Sequence, residues 1–441
     1  MLITHARLAT FGSEPRLIED GALLLEGEHV AAIGTTPALT TQFPNADRWD
    51  AGGQLVLPAS LCAHTHFYGA FSRGMAIPGQ PPKTFPQILQ QLWWRLDKAL
   101  TMEDVRYSAL VCLVDAIRHG TTTLIDHHAS PNAIDNSLDV IAEAVREAGL
   151  RASLCYEVTD RDGEERARAG IKENVRFARS AGENPRLAAS FGLHASLTLS
   201  DETLADCVAA ADDLGLGFHV HVAEGISDQE DALRKSGKRV VHRLGDAGIL
   251  GPKTIAVHCI HVDEGEIARL ADSETWVTHQ PRSNMNNAVG VAPVERMLEE
   301  GVQIGLGNDG FSNQMFAEMK TAYFVHKLAQ RDPQAMPGNL VMDLAYANNA
   351  RLAQVFWPDQ RLGELSEGAM ADLVFVDYHP TTPLSVDNLP WHVLFGFEAS
   401  MITSTVCAGQ VLMRDRELLT LDEEAITARS RELAAEAWSR V

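Results

Sequence analysis

The stretch LVLPASLCAHTH, residues 55–66, is an apolar run that ends in two histidines separated by one residue. Side chains at positions i and i+2 of a β-strand point to the same side of the sheet. His64 and His66 are therefore expected to project together from the end of a buried strand. Imidazole pairs of this kind indicate metal ligands.

Seven further runs resemble this strand and alternate with longer segments of helical periodicity, such as NSLDVIAEAVREAGL, residues 136–150. The eight strand candidates are SLCAHTH (60–66), TTTLIDHHA (121–129), RASLCYEVT (151–159), RLAASFGLHA (186–195), LGFHVHVAE (216–224), KTIAVHCIH (253–261), ETWVTHQ (274–280) and VQIGLGND (302–309). This alternation predicts an α/β fold of the (β/α)8 TIM barrel type over residues 58–360.

Both chain ends read instead as short strands joined by turns. Examples are GALLLEGEHVAAIG (21–34) and, near the other end, STVCAGQVLMRDRE (404–417). We expect residues 1–57 and 361–441 to pair into one small composite β-sandwich domain, with the barrel inserted between them.

Composition narrows the class of protein. The 441 residues carry a formal net charge of −22 and include 45% hydrophobic residues. So acidic a chain repels a phosphate backbone and offers no basic patch to anionic lipid, which argues against nucleic-acid and membrane partners. The start lacks the pattern of a signal peptide, and the six cysteines are scattered without a CxxC pair. We therefore expect a cytoplasmic protein with reduced thiols.

Polar side chains crowd the carboxyl ends of the predicted strands, which converge on one face of a barrel. They are His64, His66, His127, His128, His194, His219, His221, Glu224, His258, His261, His279 and Asp309. Three imidazoles and one carboxylate meeting there suit a divalent cation such as Zn²⁺ or Fe²⁺. Such a cation makes hydroxide available near neutral pH, so Asp309 is a candidate base and Glu224 a candidate proton donor for water attack on an electron-poor carbon.

Several of these motifs resemble a known family. HTH after LP, HVHVAE, AVHCIH and GLGNDG are similar to the metal-dependent amidohydrolase superfamily, in particular its chlorohydrolase/aminohydrolase branch, which contains cytosine and guanine deaminases. AHTHFYGAFSRGM, TTTLIDHHASPNAID, CYEVTDRDGEE and HQPRSNMNNAVG look closest to the SsnA-type aminohydrolases. The chain departs from the branch in Ala59-Ser60, where LPGL is usual, in Asn308, and in the paired His127-His128.

The resemblance implies the role of each site residue. Four side chains bind the metal: His64, His66, His221 and Asp309. Glu224 matches the H-x-x-E glutamate that passes a proton to a ring nitrogen, and this spacing selects His221 over His219 as the ligand. His258 matches the histidine that orients water or polarises the bond under attack. The predicted fourth strand contains no lysine, so one metal ion is expected, Zn²⁺ first and Fe²⁺ second.

Substrate contacts are less well defined by the sequence. Arg73, His128 and His194 are candidates, each with a structural hydrogen bond or ion pair as the alternative. The roles of His127, His279 and Asn284 stay open.

The implied function is hydrolysis of a C–N bond in a small nitrogen heterocycle, with release of ammonia or an amine by a homo-oligomeric enzyme. Two alternatives remain: a hydrolase of the same fold that releases halide or sulfide or opens a cyclic amide, and, more remotely, a non-catalytic binding or assembly protein.

Overall fold

The computed structural model describes residues 1–77 and 79–441, which form eighteen β-strands. The strands are β1 Leu2–Ala9, β2 Leu17–Glu26, β3 His29–Thr35, β4 Arg48–Asp50, β5 Leu55–Pro58, β6 Ser60–Thr65, β7 Thr121–Asp126, β8 Arg151–Leu154, β9 Leu187–Ala189, β10 Phe191–Ala195, β11 Phe218–Val222, β12 Ile255–His258, β13 Trp276–His279, β14 Ile304–Leu306, β15 Leu373–Val376, β16 Ile402–Cys407, β17 Gln410–Arg414 and β18 Glu417–Leu418.

The α-helices of the described residues lie mainly between the barrel strands and after them. They are α1 Thr36–Gln42, α2 Phe85–Ile88, α3 Trp94–Ala99, α4 Met102–Arg118, α5 Ser137–Ala148, α6 Glu164–Ala181, α7 Asp201–Asp212, α8 Ile226–Ser236, α9 Val240–Asp246, α10 Glu264–Asp272, α11 Pro281–Asn286, α12 Val294–Glu299, α13 Met315–Gln330, α14 Gly338–Met342, α15 Asn349–Phe356, α16 Leu389–Gly396 and α17 Glu423–Ser439. Segments Leu89–Trp93 and Asp343–Asn348 are π-helical.

The helices begin and end where local chemistry dictates. At the start of α4, the Thr101 hydroxyl accepts from the amide of Asp104 while the Asp104 carboxylate accepts from the amide of Thr101, at 3.3 and 2.7 Å. Helix α5 buries the apolar face that its sequence predicts and ends at Gly149, whose φ is +79°. Among the described helices, none has the length and apolar character required to cross a bilayer.

Nine strand segments form the eight positions of the barrel. Strands β6-β7-β8-β9 and β10-β11-β12-β13-β14 make two parallel sheets, in the order that the sequence predicts. β9 pairs with β8 and β10 pairs with β11, so these two segments, with Ser190 between them, share the fourth position. The predicted (β/α)8 barrel with a sheet domain from the chain ends is therefore confirmed.

The seam between the first and last strands of the barrel closes beside its histidines. The amides of Asn308 and Asp309 both donate to the carbonyl of His64, at 3.0 and 3.1 Å, and Thr65 bridges Asp309. Gly307 permits this approach, because a Cβ there would lie 2.8 Å from the His64 backbone nitrogen and oxygen. The seam thus places Asp309 next to the two histidines of β6.

The chain ends form a third sheet, of nine strands, in the order β18-β17-β16-β15-β5-β1-β2-β3, with β4 on β1. β5 and β15, from opposite ends of the chain, pair antiparallel. Trp49 and Phe375 stack in the core of this sheet, with ring centroids 4.4 Å apart. We propose the domain boundaries predicted above, 1–57 with 361–441 and 58–360.

Candidate active site

Three strand ends bring the predicted metal ligands together. His64 lies in β6 and His66 directly after it, His221 lies in β11, and Asp309 follows β14. The Asp309 Oδ1 atom is 3.0 Å from His66 Nε2 and 3.5 Å from His64 Nε2, and His66 Nε2 is 3.1 Å from His221 Nε2. His64, His221, His258 and Asp309 also form a group whose ligand atoms all lie within 4.8 Å of one another.

The hydrogen bonds of His66 and His221 show that this cluster fits a cation. His66 Nδ1 faces the carbonyl of His127 at 2.6 Å, and His221 Nδ1 faces the carbonyl of His194 at 2.7 Å, so both Nδ1 atoms carry protons. In the neutral rings, both Nε2 atoms then present lone pairs to each other at 3.1 Å. Two facing lone pairs require a positive charge between them, and the buried Nε2 of His64 also has no hydrogen-bond partner within residues 1–77 and 79–441.

The pKa values of His64, His66 and Asp309 also indicate that the cluster fits a cation. Burial lowers the pKa of His64 to about 3. Burial also acts to lower the pKa of His66, but its hydrogen bond to Asp309 and the charge of that carboxylate raise it to about 9. Burial acts to raise the pKa of Asp309, yet its polar contacts with the His64 and His66 rings hold it well below its usual range. A proton therefore occupies the place that a cation would take, and binding a metal would release it.

The Glu224 carboxyl and the His258 imidazole lie beside this histidine–aspartate cluster. Glu224 is buried, and its Oε2 lies 3.4 Å from Nε2 of His258, which is 3.9 Å from Asp309 Oδ2. Burial raises the pKa of Glu224 to about 7; the charge of His258 opposes this shift and that of Asp309 adds to it. A carboxyl of that pKa can both give and accept a proton near neutral pH.

Neighbouring side chains hold these groups in place. The Asn287 amide donates to Glu224 Oε1 at 3.2 Å, and the Ser283 hydroxyl donates to Asp309 Oδ2. His258 Nδ1 lies 2.8 Å from Asn284 Oδ1. Asn284, whose role the sequence left open, is thus a partner of the catalytic candidate His258.

The backbone at the carboxyl ends of these strands is strained. Ala223, His258, Cys259 and Asp309 adopt positive φ angles of 48°, 73°, 49° and 58°, a region that side-chain-bearing residues seldom occupy. Each follows or ends strand β11, β12 or β14. Such outliers cluster at functional sites, where the surrounding structure enforces them.

A pocket opens above the cluster, with aromatic walls. Its lining includes the aromatic side chains of Tyr68, Phe85, Trp93 and Trp94 and the polar side chains of His66, His221, Glu224 and Asp309. The guanidinium of Arg161 lies 5.3 Å from the ring centroid of Trp94 and pairs with Asp97, which also lines the pocket. Flat apolar walls above a polar floor suit an aromatic heterocycle.

Glu157 is a pocket residue that the sequence reasoning missed. It lies just after β8, and its Oε1 is 3.2 Å from His127 Nδ1 and 3.6 Å from His66 Nδ1. Burial acts to raise its pKa, but the charge of His127 and a hydrogen bond from it hold the pKa well below the usual range. Its position at a strand end, in CYE (155–157), was the available signal. Together with His66, His127 and His221 it forms a second buried group with the spacing of metal ligands.

The three predicted substrate contacts are placed differently. His194 lines the pocket, whereas Arg73 is exposed and His128 is buried with its Nε2 2.9 Å from the Ser130 hydroxyl. Neither Arg73 nor His128 is among the residues that line this pocket, and their substrate contacts stay predictions. His279 pairs with His326 instead, at 3.1 Å between the two Nε2 atoms.

Fold and site together are those of a metal-dependent hydrolase, in which a barrel presents a cluster of histidine and carboxylate side chains beside a buried carboxyl group. The sequence profile of the Amidohydrolase family matches residues 55–412. The chain belongs to this family, whose members hydrolyse bonds such as C–N.

Named proteins resemble the chain along its whole length. It is 32% identical over 447 residues to a 5'-deoxyadenosine deaminase of Methanosarcina mazei, with 100% of this chain and 99% of the relative covered. It is 31% identical over 442 residues to a 5-methylthioadenosine/S-adenosylhomocysteine deaminase of Syntrophobacter fumaroxidans, covering 98% and 97%. A crystal structure of an adenosine deaminase from Xanthomonas campestris with bound zinc superposes with a TM-score of 0.87 at 23% identity, covering 99% and 98%.

Proposed function

We propose that this protein is a deaminase that replaces the exocyclic amino group of an aminated purine nucleoside with oxygen from water, releasing ammonia. The compounds in the names of both relatives contain adenosine or its deoxy form. The site also offers the acid, the base and the aromatic walls that this reaction needs. The observation that carries the proposal is the placement of two carboxylates near one imidazole nitrogen: Glu224 Oε2 and Asp309 Oδ2 lie 3.4 and 3.9 Å from His258 Nε2.

We propose that one Zn²⁺ ion is bound by His64, His66, His221 and Asp309. The facing lone pairs of His66 and His221 and the unpartnered Nε2 of His64 support this assignment. When bound, the ion supplies a water molecule whose pKa is lowered towards neutrality. Fe²⁺ fits the same donor set, and metal analysis distinguishes the two ions.

Each chain residue then has a defined task. Asp309 accepts a proton from the attacking water, while Glu224 donates its proton to the ring nitrogen next to the amino-bearing carbon. That protonation makes the carbon more electrophilic, and a C–O bond forms as the ring nitrogen takes the electron pair. His258, between the two carboxylates, orients the attacking oxygen. The hydroxyl proton then passes to the Glu224 carboxylate and the C=O bond forms as the C–N bond to the amino group breaks, while the amino group takes the proton held by Asp309 and leaves as ammonia.

The aromatic walls explain how the ring is held. Trp93 and Trp94 line the pocket, so both tryptophans of LWWRL (92–96) have a place in substrate binding besides helix packing. Stacking on such rings is tolerant of the ring's substituents, whereas Glu224 and His194 supply the polar contacts.

We further propose a cytoplasmic homo-oligomer without a nucleic-acid partner. The net charge of −22 disfavours nucleic acid, and all six cysteines are buried and free, as in a reducing compartment. Phe324, Leu328 and Phe395 are exposed large apolar side chains, and the rings of Phe324 and Phe395 lie 6.1 Å apart, which supports a subunit contact.

The test is release of ammonia by the zinc-loaded protein. Adenosine, 5'-deoxyadenosine, 5-methylthioadenosine and S-adenosylhomocysteine are assayed beside guanine, cytosine and a chlorinated triazine. We expect turnover of at least one adenosine compound, and a rate about 10²- to 10⁴-fold lower in a Glu224→Gln variant of equal zinc content. Chloride release from the triazine without any ammonia release would replace this proposal by the halide-releasing alternative.

A further inference from the structure

The proposed imidazole ligands differ in what holds the ring nitrogen that faces away from the cation. For His66 and His221 the partner is a backbone carbonyl, which only accepts hydrogen bonds. For His64 it is another imidazole: His64 Nδ1 lies 2.9 Å from Nε2 of His219. An imidazole nitrogen can donate or accept, so the geometry of this pair does not by itself fix where the proton lies.

The surroundings of His219 decide the direction. Its Nδ1 lies 3.8 Å from Sγ of Cys155, and that sulfur in turn lies 3.5 Å from the carbonyl of Asp126. Burial raises the pKa of the Cys155 thiol well above its ordinary value, so the sulfur keeps its proton and donates it to the carbonyl. The sulfur lone pair then accepts from His219 Nδ1, which leaves His219 Nε2 free to accept from His64.

We infer that His219, anchored by Cys155, is a positioning residue that holds His64 in the tautomer with its proton on Nδ1 and its Nε2 open to the metal. The hydrogen bonds run in one direction, from His64 to His219, from His219 to Cys155 and from Cys155 to the Asp126 carbonyl. His64, His219 and Cys155 are fully buried, so water does not replace a missing partner. The inference rests on the proposed function, since it requires a cation at His64.

If the hydrogen bond ran from His219 to His64 instead, His64 could not bind the metal through Nε2. If His219 carried its proton on Nε2, it would donate to His64 Nδ1, and a neutral His64 would then carry its own proton on Nε2. That proton would point at Asp309 Oδ1, 3.5 Å away, in the space that the cation needs. The choice of tautomer at His219 therefore sets the metal affinity of a residue 155 positions away in the chain.

A competing interpretation assigns the same residues to a metal. His127, Cys155 and His219 have the spacing of a ligand group. His127 Nε2, however, faces the carbonyl of His219 at 3.0 Å and is a donor there, so the triplet offers few free lone pairs. Zinc stoichiometry separates the two interpretations.

The experiment measures the zinc affinity of the apoprotein by competition with a chelator of known affinity. His219→Leu removes the acceptor for His64, and we expect zinc affinity to fall about 10- to 100-fold, as is typical when a residue that orients a ligand is lost. His219→Gln keeps an acceptor oxygen and is expected to restore affinity to within about threefold of the parent. The matched control is His279→Leu, a buried strand-end histidine that pairs with His326 and is expected to bind zinc like the parent.

A second readout needs no destabilising variant. NMR spectra of the zinc-loaded parent and of His219→Gln are recorded with ¹⁵N-labelled histidine. The ring signal that the variant lacks belongs to His219, and we expect its nitrogen shifts to be those of a neutral ring protonated on Nδ1. A ring protonated on Nε2, or parent-like zinc affinity in His219→Leu, overturns the inference while leaving the proposed function intact. A second zinc equivalent that is lost in Cys155→Ser also overturns it. A parent that binds no zinc overturns the proposed function and this inference with it.

Discussion

Substitution of Glu224 by glutamine isolates the proton-transfer step from metal binding. The side chain is buried at the pocket floor, 3.4 Å from His258 and outside the proposed ligand set. Glutamine keeps the shape of the side chain and can still pair with Asn287, which donates to Glu224 Oε1 at 3.2 Å. It cannot deliver a proton to the ring nitrogen. The variant should therefore fold and bind zinc like the parent but turn over slowly.

The expected fall in kcat follows from the proposed role of Glu224 as a general acid. General acid–base groups contribute about 10²- to 10⁴-fold in rate, which corresponds to roughly 3–5 kcal/mol of barrier. We expect kcat for deamination to fall by this factor, with zinc content unchanged by elemental analysis. Glu230→Gln is the matched control, because Glu230 is an exposed glutamate on the following helix, α8.

Two results would refute the reasoning about Glu224. If Glu224→Gln retained more than about a tenth of the parent kcat, the proton would reach the ring by another route. If the variant instead lost its zinc, Glu224 would belong to the metal site, and the separation of roles argued above would be wrong.

Three further substitutions probe the ligands, the pocket wall and the barrel seam. Asp309→Asn should weaken zinc binding by at least about 100-fold in a chelator competition, since even residues that only support a ligand reach that value; retained affinity would remove Asp309 from the ligand set. Trp94→Ala should raise KM about 5- to 150-fold, equivalent to the ~1–3 kcal/mol of base–aromatic stacking, with little change in kcat; an unchanged KM would exclude Trp94 as a ring contact. Gly307→Ala should lower the free energy of unfolding by about 1–3 kcal/mol, because the new Cβ meets the His64 backbone at 2.8 Å. The control Gly182→Ala, with open space around its Cβ, should stay within about 0.5 kcal/mol of the parent in denaturant titration, and an equal loss in both would contradict the role of the seam.

The barrel and the proximity of its histidine and carboxylate side chains were predictable because strand geometry carries long-range information. Alternation along β6 and β11 places His64 with His66 and His219 with His221 on shared faces, and parallel strands bring their carboxyl ends to one rim. The H-x-x-E spacing then separated His221 from His219. The structure brings together every residue of the predicted ligand set.

The roles of the other site residues could not be predicted, because they depend on contacts between distant segments that local sequence patterns do not encode. Arg73 lies in a turn whose path decides whether the side chain meets the pocket, and it is exposed. Glu157 had a strand-end position but no partner motif to mark it. The role of His219 becomes visible only through His64 and Cys155, which come from other strands of the barrel.

The positive φ angles of His258 and Asp309 have a consequence for the enzyme's history and engineering. Each such residue costs roughly 1–3 kcal/mol that a glycine would recover in part. Relief of this strain alone would favour glycine at both positions, but glycine in place of His258 would also leave a cavity and remove the contact of its Nδ1 with Asn284 Oδ1, at a cost of about 2–5 kcal/mol. The buried side chains therefore keep these torsion angles in place, and selection for heat resistance alone would leave the strain at the proposed site untouched.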